Sequence, residues 1–206
     1  METYLTFSLA LAAFWLGACP FAVWIGQYLV KRDIRKYGDS NPGTANVFRA
    51  GGIRWGILAL VLEMGKGYPF VFLAYSYFHL GPVLVIIIIL SAILGHAFSP
   101  ILRFHGGKAL AVTGGALLAL PPYQIFICIL LMMAIFYIFV KQDAWTVLLS
   151  FLCGFIFFLL LTGLSWQTVL ILCITLILAI KHKTDLRSLP SIYIKPLHWH
   201  RLRKET

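Results

Sequence analysis

Two short stretches of this chain hold most of its polar chemistry. From Gly38 to Arg49 the residues run Gly-Asp-Ser-Asn-Pro-Gly-Thr-Ala-Asn-Val-Phe-Arg, and from His105 to Lys108 they run His-Gly-Gly-Lys. In the first, Ser40, Asn41, Thr44 and Asn46 are uncharged donors and acceptors crowded beside Arg49, whose planar guanidinium fork matches the oxygens of a phosphate. In the second, Gly106 and Gly107 let backbone amides turn toward an anion. Lys108 then opens an apolar run whose helical N-terminus also favours negative charge. Each stretch alone is a common turn: Asn41-Pro42-Gly43 is turn chemistry, and Gly-Gly-Lys lacks the spacing of a nucleotide-binding loop. Together they point to a phosphate-bearing ligand. Asp39 suits such a site if its carboxylate faces Arg49 or a lysine, and it could also receive a hydroxyl proton.

A third polar group, Lys181-His182-Lys183-Thr184-Asp185-Leu186-Arg187, follows the last apolar run. Its cations complement a helix C-terminus and an anionic lipid surface. That role accounts for Lys181, Lys183 and Arg187 but not for His182 and Asp185, which are three apart on one helical face and are candidates to point into the site. Within the second apolar run Glu63 and Lys66 are also three apart. Pairing lowers the cost of placing both in a bilayer. Gly65, Gly67 and Pro69 are expected to kink or thin that helix.

The elements that must position these residues are apolar. Of 206 residues, 61% are hydrophobic and 12% charged, about half the charge of a soluble domain. Runs over 4–30, 55–80, 82–103, 109–121, 123–140, 144–163 and 166–181 predict an all-α polytopic membrane bundle of about seven transmembrane helices. The break between the fourth and fifth rests on Pro121-Pro122, which cannot continue a helix. The start, Met-Glu-Thr-Tyr, has no positive region before its apolar run, so the first helix reads as retained. Cys19, Cys128, Cys153 and Cys173 lie in apolar segments with no metal-ligand spacing and read as packing residues. Residues 1–190 form one transmembrane domain. Residues 191–206, with Tyr193 and Trp199 among cations, read as a basic interfacial tail.

Every one of the 17 lysines and arginines except Lys66 falls in alternate connections or in the tail. The connections around His79-Leu80-Gly81-Pro82, Pro121-Pro122 and Thr162-Gly163 have none. This asymmetry predicts an external N-terminus and a cytoplasmic C-terminus, with all three polar stretches on the cytoplasmic face. The net charge of +10 therefore reports membrane orientation, and no nucleic-acid partner is expected.

At this point the residues match a known pattern. Asp33-Ile34-Arg35 through Gly38, Asn41, Gly43, Asn46, Arg49 and Gly52, then Gly95-His96, Phe98, Phe104, Gly106-Gly107-Lys108 and Ala111, then His182 to Leu189, resemble the three cytoplasmic motifs of the bacterial acyl-phosphate:glycerol-3-phosphate acyltransferase family, PlsY. The resemblance covers nearly the whole chain. It implies a multi-pass enzyme of the bacterial cell membrane that moves a fatty acyl group from acyl phosphate to the first hydroxyl of glycerol 3-phosphate, giving lysophosphatidate. It implies no cofactor and no metal, and it leaves the oligomeric state open. Departures are visible: Asp39-Ser40 where the family has Ser-Gly, Thr44-Ala45 for Ala-Thr, Ala109 and Val112 for Gly and Thr, and Asp185 for Asn. The Glu that closes the third motif has no counterpart near Pro190-Ser191.

An acyl phosphate carries its own leaving group, so the protein's task is to hold two anionic heads together and aim one hydroxyl at the carbonyl. Ser40, Lys108, His182 and Asp185 are the candidate catalytic residues. Asp39, Asn41, Asn46, Arg49, Gly106 and Gly107 are the candidate substrate-binding residues. Arg49 and Lys108 are expected on phosphate oxygens with the glycine amides beside them, and Ser40, Asn41 and Asn46 on the glycerol hydroxyls or the acyl carbonyl. His182 would bind phosphate or help move the proton, with Asp39 or Asp185 as a competing base. Two alternatives remain: a paralogue acylating another phosphorylated alcohol, and a non-catalytic carrier or lipid-binding protein. Against the carrier stands the lack of an internal repeat with matching broken helices.

Overall fold

The computed structural model describes residues 2–121 and 123–191. α1 (Glu2–Ala18) is interrupted at Cys19-Pro20 before α2 (Phe21–Trp24), which continues as a wider π-helical turn over Ile25–Val30. The uninterrupted run expected over 4–30 is thus two pieces. Pro20 has no N–H to offer the ladder and sits at φ −89, ψ 63, outside the helical region.

α3 (Thr44–Phe72) begins well before the expected residue 55 and ends in a π-helical turn over Leu73–Tyr77. Half of the supposed first loop is therefore helix. Gly52, at φ 75 and ψ −173, bends it, so Thr44–Gly51 is a short arm that carries Asn46 and Arg49 at an angle to the span. Helical dihedrals continue through Gly65 to Pro69, and Gly67 lies directly against the Val112 carbonyl, the thinning of the helix that its small residues allow.

α4 (Pro82–Ala97) is followed by a 3-10 turn over Pro100–Leu102, α5 (Leu110–Leu118), α6 (Gln124–Phe139), α7 (Asp143–Thr162), α8 (Trp166–Lys181) and a closing 3-10 turn over Asp185–Arg187. Among the described residues four helical stretches are long and apolar enough to cross a membrane, Glu2–Val30, Thr44–Tyr77, Pro82–Leu102 and Asp143–Thr162. α6 and α8 are shorter apolar helices. α5 rises only about 13 Å at 1.5 Å per residue, less than half the roughly 30 Å of a hydrocarbon core.

α1 packs along α4, α3 along α5, and α6, α7 and α8 against one another in sequence. Gly17 faces the backbone of Ala92 and Gly95 that of Phe14, the small-residue approach expected where no aqueous hydrophobic effect drives helices together. Ala13, Ile89, Ile93, Val112, Ala116 and Ile174 are fully buried, while Phe7, Val61, Leu160, Leu161 and Leu176 are exposed on the outside. An apolar exterior of this kind suits lipid.

The polar connections meet at one end. Gln142 Nε2 donates to Ser191 Oγ at 3.0 Å, and the Ser191 N–H returns a bond to Gln142 Oε1 at 3.0 Å. Trp145 Nε1 donates to the Ser188 carbonyl at 2.7 Å. This clasp ties the segment after α8 to the start of α7. Of the expected interfacial tail, residues 192–206 lie outside the described residues.

Candidate active site

The loop before α3 is built from its own side chains outward. Asp33 accepts from the Arg35 backbone N–H and pairs with its guanidinium at 2.9 Å, and that hydrogen bond holds the Asp33 carboxyl below its usual range. Gly38 is left-handed at φ 54, and a Cβ there would stand 2.5 Å from both Arg49 Nη1 and Asn46 Oδ1. The residue must be glycine both for its dihedral and for its neighbours. Asn46, 1% exposed, is the hub. Its Nδ2 donates to Asp39 Oδ1 and to the Asn41 carbonyl, both at 2.9 Å, and its Oδ1 accepts from Arg49 Nη1 at 2.6 Å. Asn46 thereby fixes the loop's anion and its cation at once. Ser40, also left-handed at φ 59, is exposed beside them.

The second glycine stretch is held by a residue whose sequence reading was a lipid anchor. Lys181 Nζ donates to the Ala97 carbonyl at 2.7 Å and the Gly106 carbonyl at 3.0 Å, and it lies 5.1 Å from the Phe98 ring centre. Lys181 does not reach for headgroups; it clamps the Gly106 loop onto the end of α4. Neither Gly106 nor Gly107 has a positive φ. Their need for glycine is contact: a Cβ on Gly106 would overlap the His96 carbonyl oxygen, and one on Gly107 would overlap the His96 ring.

Lys108 joins all three stretches. Its Nζ lies 2.6 Å from Asp39 Oδ2 and 2.6 Å from Asp185 Oδ2. Partial burial opposes charging the ammonium, but the two carboxylates outweigh it and hold Lys108 above the usual lysine range. Burial likewise raises Asp39, and the Lys108 ammonium with the Asn41 and Asn46 donors more than reverses it, so Asp39 stays below the usual range. His182 caps α8 with Nδ1 at 2.9 Å from the Leu178 carbonyl. A carbonyl oxygen only accepts, so Nδ1 carries the hydrogen and Nε2 is the free acceptor in the neutral ring. Burial keeps His182 below the usual imidazole range.

Two cavities share Asp39, Asn41 and Lys108. One, about 520 Å³, is the more polar cleft, to which Arg35, Ser40, His105, Gly106, Lys181, Lys183 and Asp185 contribute alongside Phe98, Leu102, Phe104 and Ile180. The other, about 430 Å³, lies among Phe48, Leu60, Leu110, Met133, Tyr137 and Val147, receives Arg49 and His182, and has Glu63 and His96 on its wall. Asn46 and Gly107 stand behind the walls. Thr44 also lines the apolar cavity, and its hydroxyl has no hydrogen-bond partner among the described residues. Tyr137, Asp143 and Thr146 line it too, and nothing in their sequence neighbourhood marked them. Glu63 and Lys66 pair at 2.5 Å inside the bundle, and His96 joins them.

A model of the glycerol-3-phosphate acyltransferase family matches residues 7–191 of this sequence. The chain belongs to that family. A glycerol-3-phosphate acyltransferase of Maridesulfovibrio salexigens is 35% identical over 179 residues, covering 86% of this chain and 89% of the relative. One from Lactococcus lactis subsp. lactis is 31% identical over 186 residues, 87% of each. The crystal structure of PlsY, an integral membrane glycerol 3-phosphate acyltransferase, in its glycerol 3-phosphate form superposes with a TM-score of 0.79 at 23% identity, covering 88% of this chain and 90% of that one. The lysophosphatidic acid form gives 0.76 at 22%. At such identity the superposition establishes the shared fold.

For a member of the glycerol-3-phosphate acyltransferase family, two departures take on physical meaning. Ala109 sits at φ 61, a left-handed conformation that a side chain makes unfavourable by about 1 kcal/mol or more, where the family resemblance expects glycine. Asp39 and Asp185 both converge on Lys108, so the cation that the sequence reading expects on phosphate is shared between two carboxylates.

Proposed function

We propose that this chain transfers a fatty acyl group from acyl phosphate to the 1-hydroxyl of glycerol 3-phosphate, releasing inorganic phosphate and lysophosphatidate. The observation that carries this reading is the position of Lys108, at the junction of a polar cleft and an apolar cavity. The acceptor has only a polar body and fits the cleft; the donor has an acyl tail suited to the apolar cavity and a phosphate head suited to Lys108 and Arg49. The acceptor oxygen bonds to the acyl carbon, the bond from that carbon to the phosphate oxygen breaks, and phosphate departs. Asp39 is a weak base because it is held ionised below its usual range. Neutral His182, with Nε2 open, is the better group to take the hydroxyl proton and pass it to the departing phosphate. Asp39 and Asp185 serve instead as counter-ions that aim Lys108, while Ser40 and Asn41 orient the glycerol hydroxyls.

In this reading residues 1–190 act as one unit crossing the bacterial cell membrane seven times, with α5 as the short pass. The charge asymmetry of the connections supports an external N-terminus, a cytoplasmic site and a C-terminal tail on that surface. The test is a radiolabelled acyl-phosphate assay with purified protein across several acceptors. Donor consumption must depend on a polyol phosphate, and Lys108→Ala must lower turnover by roughly a hundredfold or more in protein that remains folded. No transfer to any such acceptor would sink the proposal. A second reading, acylation of a different phosphorylated alcohol, draws on the acidic pair at Lys108; the same acceptor panel separates the two.

A further inference from the structure

Glu63, Lys66 and His96 have no part in the mechanism above, yet they form a charged cluster inside the bundle, with Glu63 and His96 on the wall of the apolar cavity. The Lys66 side chain is 0% exposed and that of Glu63 1%. Ionised groups are expensive inside a bilayer, so their contacts must repay the placement. Those contacts converge on the break between α1 and α2. Lys66 Nζ donates to the Cys19 carbonyl at 2.7 Å, Glu63 Oε1 accepts the Ala22 N–H at 3.0 Å, and Ser99 Oγ donates to the Ala18 carbonyl at 2.6 Å. These are the backbone groups around Pro20, where the helical ladder is interrupted.

An ammonium has three hydrogens. Lys66 Nζ has three acceptors in reach: the Cys19 carbonyl, Glu63 Oε2 at 2.5 Å and His96 Nδ1 at 3.0 Å. All three hydrogens are used only if Nδ1 is unprotonated, which leaves the hydrogen on Nε2. The opposite tautomer would turn an imidazole N–H toward the ammonium. His96 Nδ1 also lies 3.1 Å from Glu63 Oε2, which could accept from an Nδ1–H; the third hydrogen of Lys66 and the cost of aiming that N–H beside an ammonium favour the unprotonated Nδ1. The His96 ring in turn sits against Gly107, and its carbonyl against Gly106, one and two residues before Lys108.

We infer that Glu63 and Lys66 lock His96 as the Nε2–H tautomer and that the locked ring is the seat for Gly106-Gly107, making the three residues a positioning unit for Lys108. This rests on the acyltransferase reading for its kinetic consequence but not for its structural one. The test uses the full chain in lipid nanodiscs with 15N-labelled histidine. Six histidines are present, and His96→Asn identifies the relevant signals. At neutral pH, Nδ1 is expected at an unprotonated shift and Nε2 at a protonated one, with Lys66→Met collapsing the difference. A protonated Nδ1 in the unsubstituted protein, or unchanged shifts in Lys66→Met, overturns the inference.

Kinetics provide the second arm. His96→Asn keeps an acceptor near Nδ1 and is expected to hold kcat/KM within about tenfold, whereas His96→Phe strands a charged donor and loses roughly a hundredfold. Equal losses in the two variants, both folded by circular dichroism, overturn it as well. If the unsubstituted protein transfers no acyl group, the functional proposal fails and the nitrogen shifts still decide this one.

Discussion

Replacing Asp185 by Asn tests whether the acidic pair at Lys108 restrains phosphate binding. Asp185 Oδ2 lies 2.6 Å from Lys108 Nζ and its side chain is 36% exposed, so the pair is screened and contributes little to folding. Its effect on an anionic ligand is larger. A phosphate dianion seated on Lys108 would stand about 5 Å from the Asp185 carboxylate, where the repulsion is about 1.7 kcal/mol at the dielectric of water and about 1 kcal/mol after physiological salt screening. Asp185→Asn therefore lowers the KM for acyl phosphate by roughly five- to fifteenfold, at about 1.4 kcal/mol per decade, and leaves kcat within about twofold. The assay is initial rates at saturating glycerol 3-phosphate over a range of acyl phosphate concentrations, repeated at low and high salt. The gain must shrink as salt rises. An unchanged or higher KM, or a gain indifferent to salt, refutes the electrostatic reasoning. A collapse of kcat would instead place Asp185 in the chemistry.

Three further outcomes are expected. Gly38→Ala forces a side chain into a left-handed position and against Arg49 and Asn46, raising the acceptor KM by roughly tenfold, as acceptor saturation curves will show. Lys181→Met leaves the Ala97 and Gly106 carbonyls without their donor and lowers kcat/KM by roughly tenfold or more, with partial recovery in Lys181→Arg; full activity in the Met variant would contradict the clamp. The third concerns pH. The folded-state value for His182 lies below 6.5, so the unfolded chain binds that proton first and stability falls as pH drops below about 6.5. Asp39, also lowered, adds its loss only below about 3.8, and Lys108, raised, keeps its contribution until above about 10.5. Thermal midpoints followed from pH 8 to pH 3 must show the early fall, and His182→Asn must shrink it.

The helices and the shared polar end were legible because hydrophobic runs and cation placement are strong, additive signals. What escaped has identifiable causes. The arm Thr44–Gly51 reads as loop because Asn46 and Arg49 depress its hydropathy, although a helix is what lets Asn46 reach back to Asp39 while holding Arg49 one turn away. The break in the first span had a visible cause in Pro20, hidden by the apolar residues on both sides. Lys181 at a helix end satisfies the anchor rule and the clamp equally well in sequence, and only the nearness of the Gly106 loop separates them. For Asp39 the condition read from sequence, that it face a cation, is met by Lys108, 69 positions away. The Glu63–Lys66 pair followed from spacing, but its third member comes from α4, which no local pattern could supply.

On the proposed reaction, the two cavities that meet at Lys108 would give the chain two doors with different units of supply. The polar cleft would sample solute per volume of water. The apolar one, walled by α3, α5, α6 and α7, would sample donor per area of membrane, so diluting the bilayer with inert lipid would starve one substrate while the other's concentration is untouched. Such a molecule counts one reactant in three dimensions and the other in two.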